Sequence, residues 1–256
     1  MKKNGLLSKI AAMTLVAIMC CCMTASAFGA YDSRTTTLYG SNNVRYDACS
    51  TLFVDGGNEY RAGGRIMTQD GSKVGARTMS YMATLIEASS GDVIVSRTSE
   101  NSSSTNFLEA TPTNSYRTSN NVASLGWAKI DSLPYYMRLG ETNSSAGLRS
   151  VEMQSQLSML AENTLTEDCS YPVNTAGETY GSILLADMVG EDPNLIAAVN
   201  QDGVRGYIRV SDFPMPGQAI PVSEIQTIPL YNMDGHMIGS FGLETSENVA
   251  IDAPQF

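Results

Sequence analysis

Short runs rich in β-branched and aromatic residues, each closed by a turn of Asp, Gly, Asn or Ser, recur along this chain of 256 residues. Residues 50–54 end at Asp-Gly-Gly-Asn (55–58), and residues 65–68 end at Gln-Asp-Gly-Ser (69–72). Asp-Gly supplies the positive φ that a tight hairpin turn needs. This punctuation leaves little room for helices and predicts antiparallel β-structure.

The region 31–140 is predicted to be an antiparallel β domain, either a sandwich or a barrel. Residues 78–88 form its longest strand, with Tyr81, Ala83 and Leu85 on one face, and the turn 89–92 leads into a strand at 93–95. Residues 122–130 form another strand, which carries the only tryptophan, Trp127. The fold class expected for the whole chain is therefore mainly β.

One amphipathic helix is predicted at 150–164, within a linking segment at 148–170. Ser150 is a plausible N-cap, and one helical face carries Met153, Leu157, Leu160, Ala161 and Thr164. Residues 171–243 are predicted to form a small β module with hairpins around Asp202-Gly203 and Asp234-Gly235. The residues 244–256 are expected to form a loose acidic tail.

The small β module resembles an uncharacterised C-terminal module of exported proteins from Gram-positive, Clostridia-type bacteria. The same module follows the sensor part of membrane proteins that resemble beta-lactam-sensing regulators. The matching strings are Tyr-Pro-Val-Asn (171–174), Gly-Glu-Thr-Tyr-Gly (177–181), Pro-Asn-Leu-Ile-Ala-Ala-Val (193–199), Asp-Gly (202–203), Gly-Tyr-Ile-Arg (206–209), Ser-Asp (211–212), Ile-Pro-Leu-Tyr (228–231), Asp-Gly (234–235) and Ile-Gly (238–239). The resemblance implies export from a Gram-positive cell and no catalytic residue. The His-Glu-x-x-His motif of those sensor proteins does not occur in this chain.

The N-terminus has the order of a secretory signal peptide. Three lysines (Lys2, Lys3 and Lys9) surround its start, residues 10–23 are apolar, and Ala-Ser-Ala (25–27) provides a cleavage site after Ala27. The apolar run is shorter than the ~20 residues of a membrane-spanning helix. We therefore expect a secreted or cell-surface protein without a membrane span after signal removal. The alternatives are an uncleaved anchor helix and a lipoprotein, which the bulky Met19 before Cys20 disfavours.

The net charge of −10 argues against nucleic acid and anionic lipid as partners. Two cysteines remain after cleavage, Cys49 and Cys169. In an oxidising compartment they could form one disulfide, but two buried free thiols are an equal alternative.

No residue pattern predicts catalysis, a metal or a cofactor. His236 is the only histidine and follows a turn, where histidines are usually solvated, and a histidine-rich zinc site is excluded. The acids Asp187, Glu191 and Asp192 have the placement of surface charges and not of a glycosidase pair.

Three aromatic residues are candidates for a carbohydrate-binding surface: Trp127, Tyr135 and Tyr136; their alternative role is core packing. Tyr116 lies in a polar loop. The sequence thus predicts an exported, non-enzymatic interaction or adhesion protein whose partner is an unknown protein or carbohydrate at the cell surface. A carbohydrate or cell-wall binding module and a hydrolase with an unrecognised site are the alternatives.

Overall fold

The computed structural model describes residues 28–110, 112–131, 133, 136–143, 151–214 and 226–245. The predicted signal peptide, the N-cap Ser150 and the tail after Thr245 lie outside these residues. The fold is mainly β, with 50% strand and 12% helix, which confirms the predicted fold class.

Sixteen strands and two short helices lie in the described part of the chain. They are β1 (Phe28–Asp32), β2 (Thr36–Tyr39), β3 (Arg45–Gly56), β4 (Glu59–Thr68), β5 (Met79–Glu87), β6 (Val93–Glu100), β7 (Phe107–Ala110), β8 (Tyr116–Arg117), β9 (Val122–Ile130), β10 (Met137–Arg138), β11 (Thr142–Asn143), α1 (Val151–Thr164), β12 (Tyr180–Gly181), α2 (Ala186–Val189), β13 (Leu195–Val199), β14 (Arg205–Ile208), β15 (Gln226–Tyr231) and β16 (Met237–Thr245).

The first sheet is entirely antiparallel and has the order β1-β3-β4-β7, with β2 beside β3 and β8 beside β4. Its central hairpin, β3–β4, turns at residues 56–58. Gly56, Gly57 and Asn58 all adopt positive φ there, so the turn forms where its sequence predicts it.

The second sheet has the order β10-β9-β5-β6-β16-β15-β14-β13-β12 and also closes on itself, because β13 pairs with β6. Strand β6 is antiparallel to β5 on one edge, and on its other edge it is parallel to β13 and to β16. Val93 pairs with Ala198 of β13, and Ser96 pairs with Leu243 of β16. Strands β6 and β13–β16 thereby form a five-stranded barrel. Both predicted hairpins of the 171–243 module are present, as β13–β14 and β15–β16.

Strands β5 and β9 are buried on both faces and separate two hydrophobic cores. The first core lies between the first sheet and one face of these strands, and it contains Tyr81, Ala83 and Leu85. The second core lies on the opposite face and inside the barrel, and it contains Met82 and Trp127. The barrel therefore takes its fifth strand from the predicted 31–140 domain.

The predicted helix is confirmed as α1, which ends at Thr164 as expected. Its residues Leu157, Leu160 and Ala161 pack against Tyr171 and Leu185. Within the described residues, neither helix is long and apolar enough to cross a membrane. Strand β16 includes Glu244 and Thr245, which the sequence analysis assigned to the tail.

Candidate functional site

Two of the three aromatic candidates are core residues. Trp127 is 1% exposed and packs edge-to-face on Phe213, with ring centroids 5.7 Å apart. Tyr136 is 8% exposed, and its hydroxyl donates to the Pro214 carbonyl oxygen at 3.1 Å. Neither ring is free to stack on a sugar, so core packing is the correct one of their two interpretations. Tyr135 lies outside the described residues.

Cys49 and Cys169 are both free thiols in the structure, so the disulfide considered from the sequence is not formed. Cys49 is buried in β3, and burial raises the pKa of its thiol. Cys169 is exposed in a turn that follows α1. The alternative of two buried thiols therefore holds for Cys49 alone.

Two of the three acids considered for catalysis, Asp187 and Asp192, have a structural partner. Arg138 donates to Asp187 from one side and to Asp192 from the other, each at 2.7 Å. Glu191 and His236 are exposed. No group of three or more potential metal ligands occurs among the described residues. The arrangement around Arg138 ties α2 and the loop after it to β10.

A cleft of about 420 Å³ lies where the barrel meets the first sheet. Ile94 and Val95 of β6 form its floor, and residues 114–116 form one wall. The other wall consists of Val199, Asn200, Gln201 and Gly203, and one end consists of Phe241, Gly242 and Glu244 of β16. The volume falls within the ~300–1,000 Å³ that is typical of small-ligand sites.

A β-bulge shapes the floor of the cleft. Leu85 of β5 pairs with Val95 and Ile86 pairs with Val93, so Ile94 is an extra residue without a partner on β5. On its other edge β6 pairs with β13 at Val93 and with β16 from Ser96 onward. A bulge bends its strand and is frequent next to binding sites. The bend therefore lies at Ile94 and Val95, between the residue that pairs with β13 and the residues that pair with β16.

A partly buried ion pair closes one end of the cleft. Glu244 Oε2 accepts hydrogen bonds from Arg97 Nε at 2.9 Å and from the Asn114 main-chain nitrogen at 2.8 Å, and it lies 2.8 Å from Arg97 Nη2. Arg97 Nη2 also donates to Asn114 Oδ1 at 3.0 Å. Both charged side chains are 15% exposed. The network joins β6, β16 and the loop before β8, and it leaves no net charge at this end of the cleft.

The two walls of the cleft are held in place by local hydrogen bonds around Asn200 and by packing of Tyr116. Asn200 Oδ1 accepts from the main-chain nitrogens of Asp202 and Val204, and its amide nitrogen donates to the Ser240 carbonyl oxygen at 3.3 Å. Tyr116 is half-buried, because part of its ring packs on the first core. The cleft is therefore largely preformed, which lowers the ordering cost of binding.

Sequence reasoning missed most of this site. Ile94 carries no signal beyond strand propensity, and Glu244 was assigned to the tail. Of the lining residues, only Tyr116 drew attention as an aromatic side chain in a polar loop. The four segments are far apart in sequence, and only the barrel closure brings them together.

Comparisons of the chain with protein-family models, with curated proteins and with solved structures gave no match.

Proposed function

We propose that the protein is an exported, non-enzymatic binding protein that holds an extracellular or cell-surface ligand in the cleft between the barrel and the first sheet. The observation that carries this proposal is the cleft itself: a preformed concavity whose two ionised side chains, Arg97 and Glu244, neutralise each other. A general acid or base needs a proton that it can exchange with a substrate. The Glu244 carboxylate is held by three donor nitrogens, so a structural role suits it better than proton exchange with a substrate.

Export is supported by the order of basic, apolar and small residues in 1–27. Strand β1 begins at Phe28, directly after the predicted cleavage site, so cleavage there would remove no described element. Secretion of the full chain from a Gram-positive host, followed by N-terminal sequencing of protein in the medium, tests this part. The expected first residue is Phe28, and retention of Met1 in cytosolic protein would contradict export.

Binding is tested by co-sedimentation of the purified protein with intact Gram-positive cells and with isolated cell wall. Ser115 is exposed and lines the cleft, so Ser115→Trp is expected to block the cleft and reduce retention about tenfold or more. Ser119, exposed in the loop after β8 and outside the cleft, supplies the control Ser119→Trp, which should be retained like the unchanged protein. Equal retention of both variants would contradict a role for the cleft, and turnover of the bound material would contradict a non-enzymatic function.

A further inference from the structure

The cleft has an unusual charge pattern for a protein with twenty-six acidic residues. The charged side chains at its end, Arg97 and Glu244, pair with each other and are mostly buried. Each of the two charges already has a partner of opposite sign, so an ionic ligand there would have to compete with that pair or leave one charge without a partner. The cleft is therefore poorly suited to ionic ligands.

The remaining polar groups of the cleft are neutral. Ser115 and Gln201 are exposed at the two walls, and neither side chain forms a hydrogen bond within the described part of the chain. Hydroxyl and amide groups are both donors and acceptors, and they pair well with ligand hydroxyl and acetamido groups. These side chains therefore favour a ligand with many uncharged polar groups.

The apolar part of the cleft offers the half-buried Tyr116 ring and a short aliphatic floor, whereas Phe241, which also lines it, is only 1% exposed. Tyr116 belongs to one wall, Ile94 and Val95 to the floor and Val199 to the other wall. An aromatic ring next to neutral hydrogen-bonding groups matches the two faces of a sugar ring, one rich in C–H groups and one rich in hydroxyls.

We infer that the ligand of the cleft is a neutral saccharide, which stacks on Tyr116 and hydrogen-bonds to Ser115 and Gln201. This inference rests on the proposed function, because it names the ligand class of the same cleft. An uncharged peptide is the competing ligand class, and competition experiments with the two kinds of ligand separate them.

Isothermal titration calorimetry of the purified protein with two uncharged probes, chitotetraose and maltotetraose, tests the inference. At least one probe is expected to bind, and Tyr116→Ala should weaken that binding about tenfold, which corresponds to about 1.4 kcal/mol. Tyr116→Phe keeps the ring and should bind within about twofold of the unchanged protein. Tyr39, an exposed tyrosine of β2, supplies the control Tyr39→Ala, which should leave binding unchanged.

Binding of a neutral ligand should also be independent of salt, so the dissociation constant is expected to stay constant from about 0.05 M to about 0.5 M NaCl. Two results would overturn the inference: binding of neither probe, or equal binding by Tyr116→Ala with a circular dichroism spectrum that shows an intact fold. If cell-wall material still binds and Ser115→Trp still blocks it, but neither probe competes, the proposed function stands and the saccharide inference fails. Competition by an uncharged peptide in that experiment would assign the cleft to peptides.

Discussion

The two hydrophobic cores are built in different ways, although β5 and β9 contribute to both. The second core relies on aromatic volume: Trp127, Phe213 and Phe241 are almost fully buried in it. The first core has a polar centre instead. The Tyr81 hydroxyl enters it and donates to the carbonyl oxygens of Cys49 and Gly63, at 3.2 and 3.1 Å.

Small residues make room for this buried hydroxyl. A Cβ atom added at Gly64 or at Gly126 would overlap the Tyr81 hydroxyl oxygen. The Gly126 main-chain nitrogen donates to Ser50 Oγ at 2.9 Å, so the polar groups next to the hydroxyl are also satisfied. The second core should therefore be sensitive to lost volume and the first core to added volume.

Trp127→Ala is expected to have the largest effect, because it removes the largest side chain of the second core. Truncation of a buried tryptophan typically costs about 3–5 kcal/mol of unfolding free energy. Urea denaturation followed by circular dichroism measures this loss. Tyr39→Ala removes an aromatic side chain that is 67% exposed and should change stability by less than about 0.5 kcal/mol. A loss below about 1 kcal/mol for Trp127→Ala would contradict a volume-dependent second core.

Gly64→Ala adds only one methyl group and tests the first core. The new Cβ would overlap both the Tyr81 hydroxyl and the Cys49 carbonyl oxygen, and the second of these belongs to the backbone of β3. Overpacking of this kind typically costs about 1–3 kcal/mol.

Gly239→Ala is the matched control for this change. Gly239 also lies in a strand, β16, but a Cβ atom there meets nothing within 4 Å. Thermal unfolding should show a clear decrease in melting temperature for Gly64→Ala and almost none for Gly239→Ala. Similar melting temperatures would show that the first core can accommodate added volume.

The sequence predicted those features that depend on local chemistry. The Asp-Gly turns gave the hairpins β13–β14 and β15–β16, and helical periodicity gave α1. The sequence did not predict that β5 and β9 are buried on both faces. Neighbouring residues such as Tyr81 and Met82 face different cores, so these strands lack the alternation of apolar and polar residues that marks a half-buried strand.

The candidate site was predictable only in its aromatic content, and two of the three predicted rings, Trp127 and Tyr136, lie in the core instead. Trp127 belongs to the core, whereas Tyr116 lines the cleft. The position of both residues depends on the closure of the barrel on β6. Such a pairing between distant strands cannot be recognised from the sequence of either strand alone. The ion pair of Arg97 and Glu244 depends on the same closure, because these two residues are register partners on β6 and β16.

The smallest expected effect concerns the other point of closure, where Val93 of β6 pairs with β13. The neighbouring Asp92 is 7% exposed, and its Oδ2 atom forms no hydrogen bond. It lies 3.4 Å from Nε of the exposed Arg205. Burial raises the pKa of Asp92, so the fold favours the protonated carboxyl. As the pH rises above about 4, the carboxyl ionises first in the unfolded chain. The free energy of unfolding therefore decreases with pH until the pH exceeds the raised pKa of the native state.

Asp92→Asn removes this buried charge and should raise the free energy of unfolding by about 1 kcal/mol at pH 7, because an unsatisfied buried charge is costly. At pH 3, where the carboxyl is protonated in both states, the variant and the unchanged protein should be nearly equal in stability. Asp202→Asn, at an exposed acid of the β13–β14 turn, is the control and should have no such dependence on pH. Urea titrations at the two pH values measure the difference. If Asp92→Asn is less stable than the unchanged protein at pH 7, the ion pair with Arg205 outweighs the cost of burying the Asp92 carboxylate. An ion pair would then stabilise the contact of β6 with β13, as the pair of Arg97 and Glu244 does for β6 and β16.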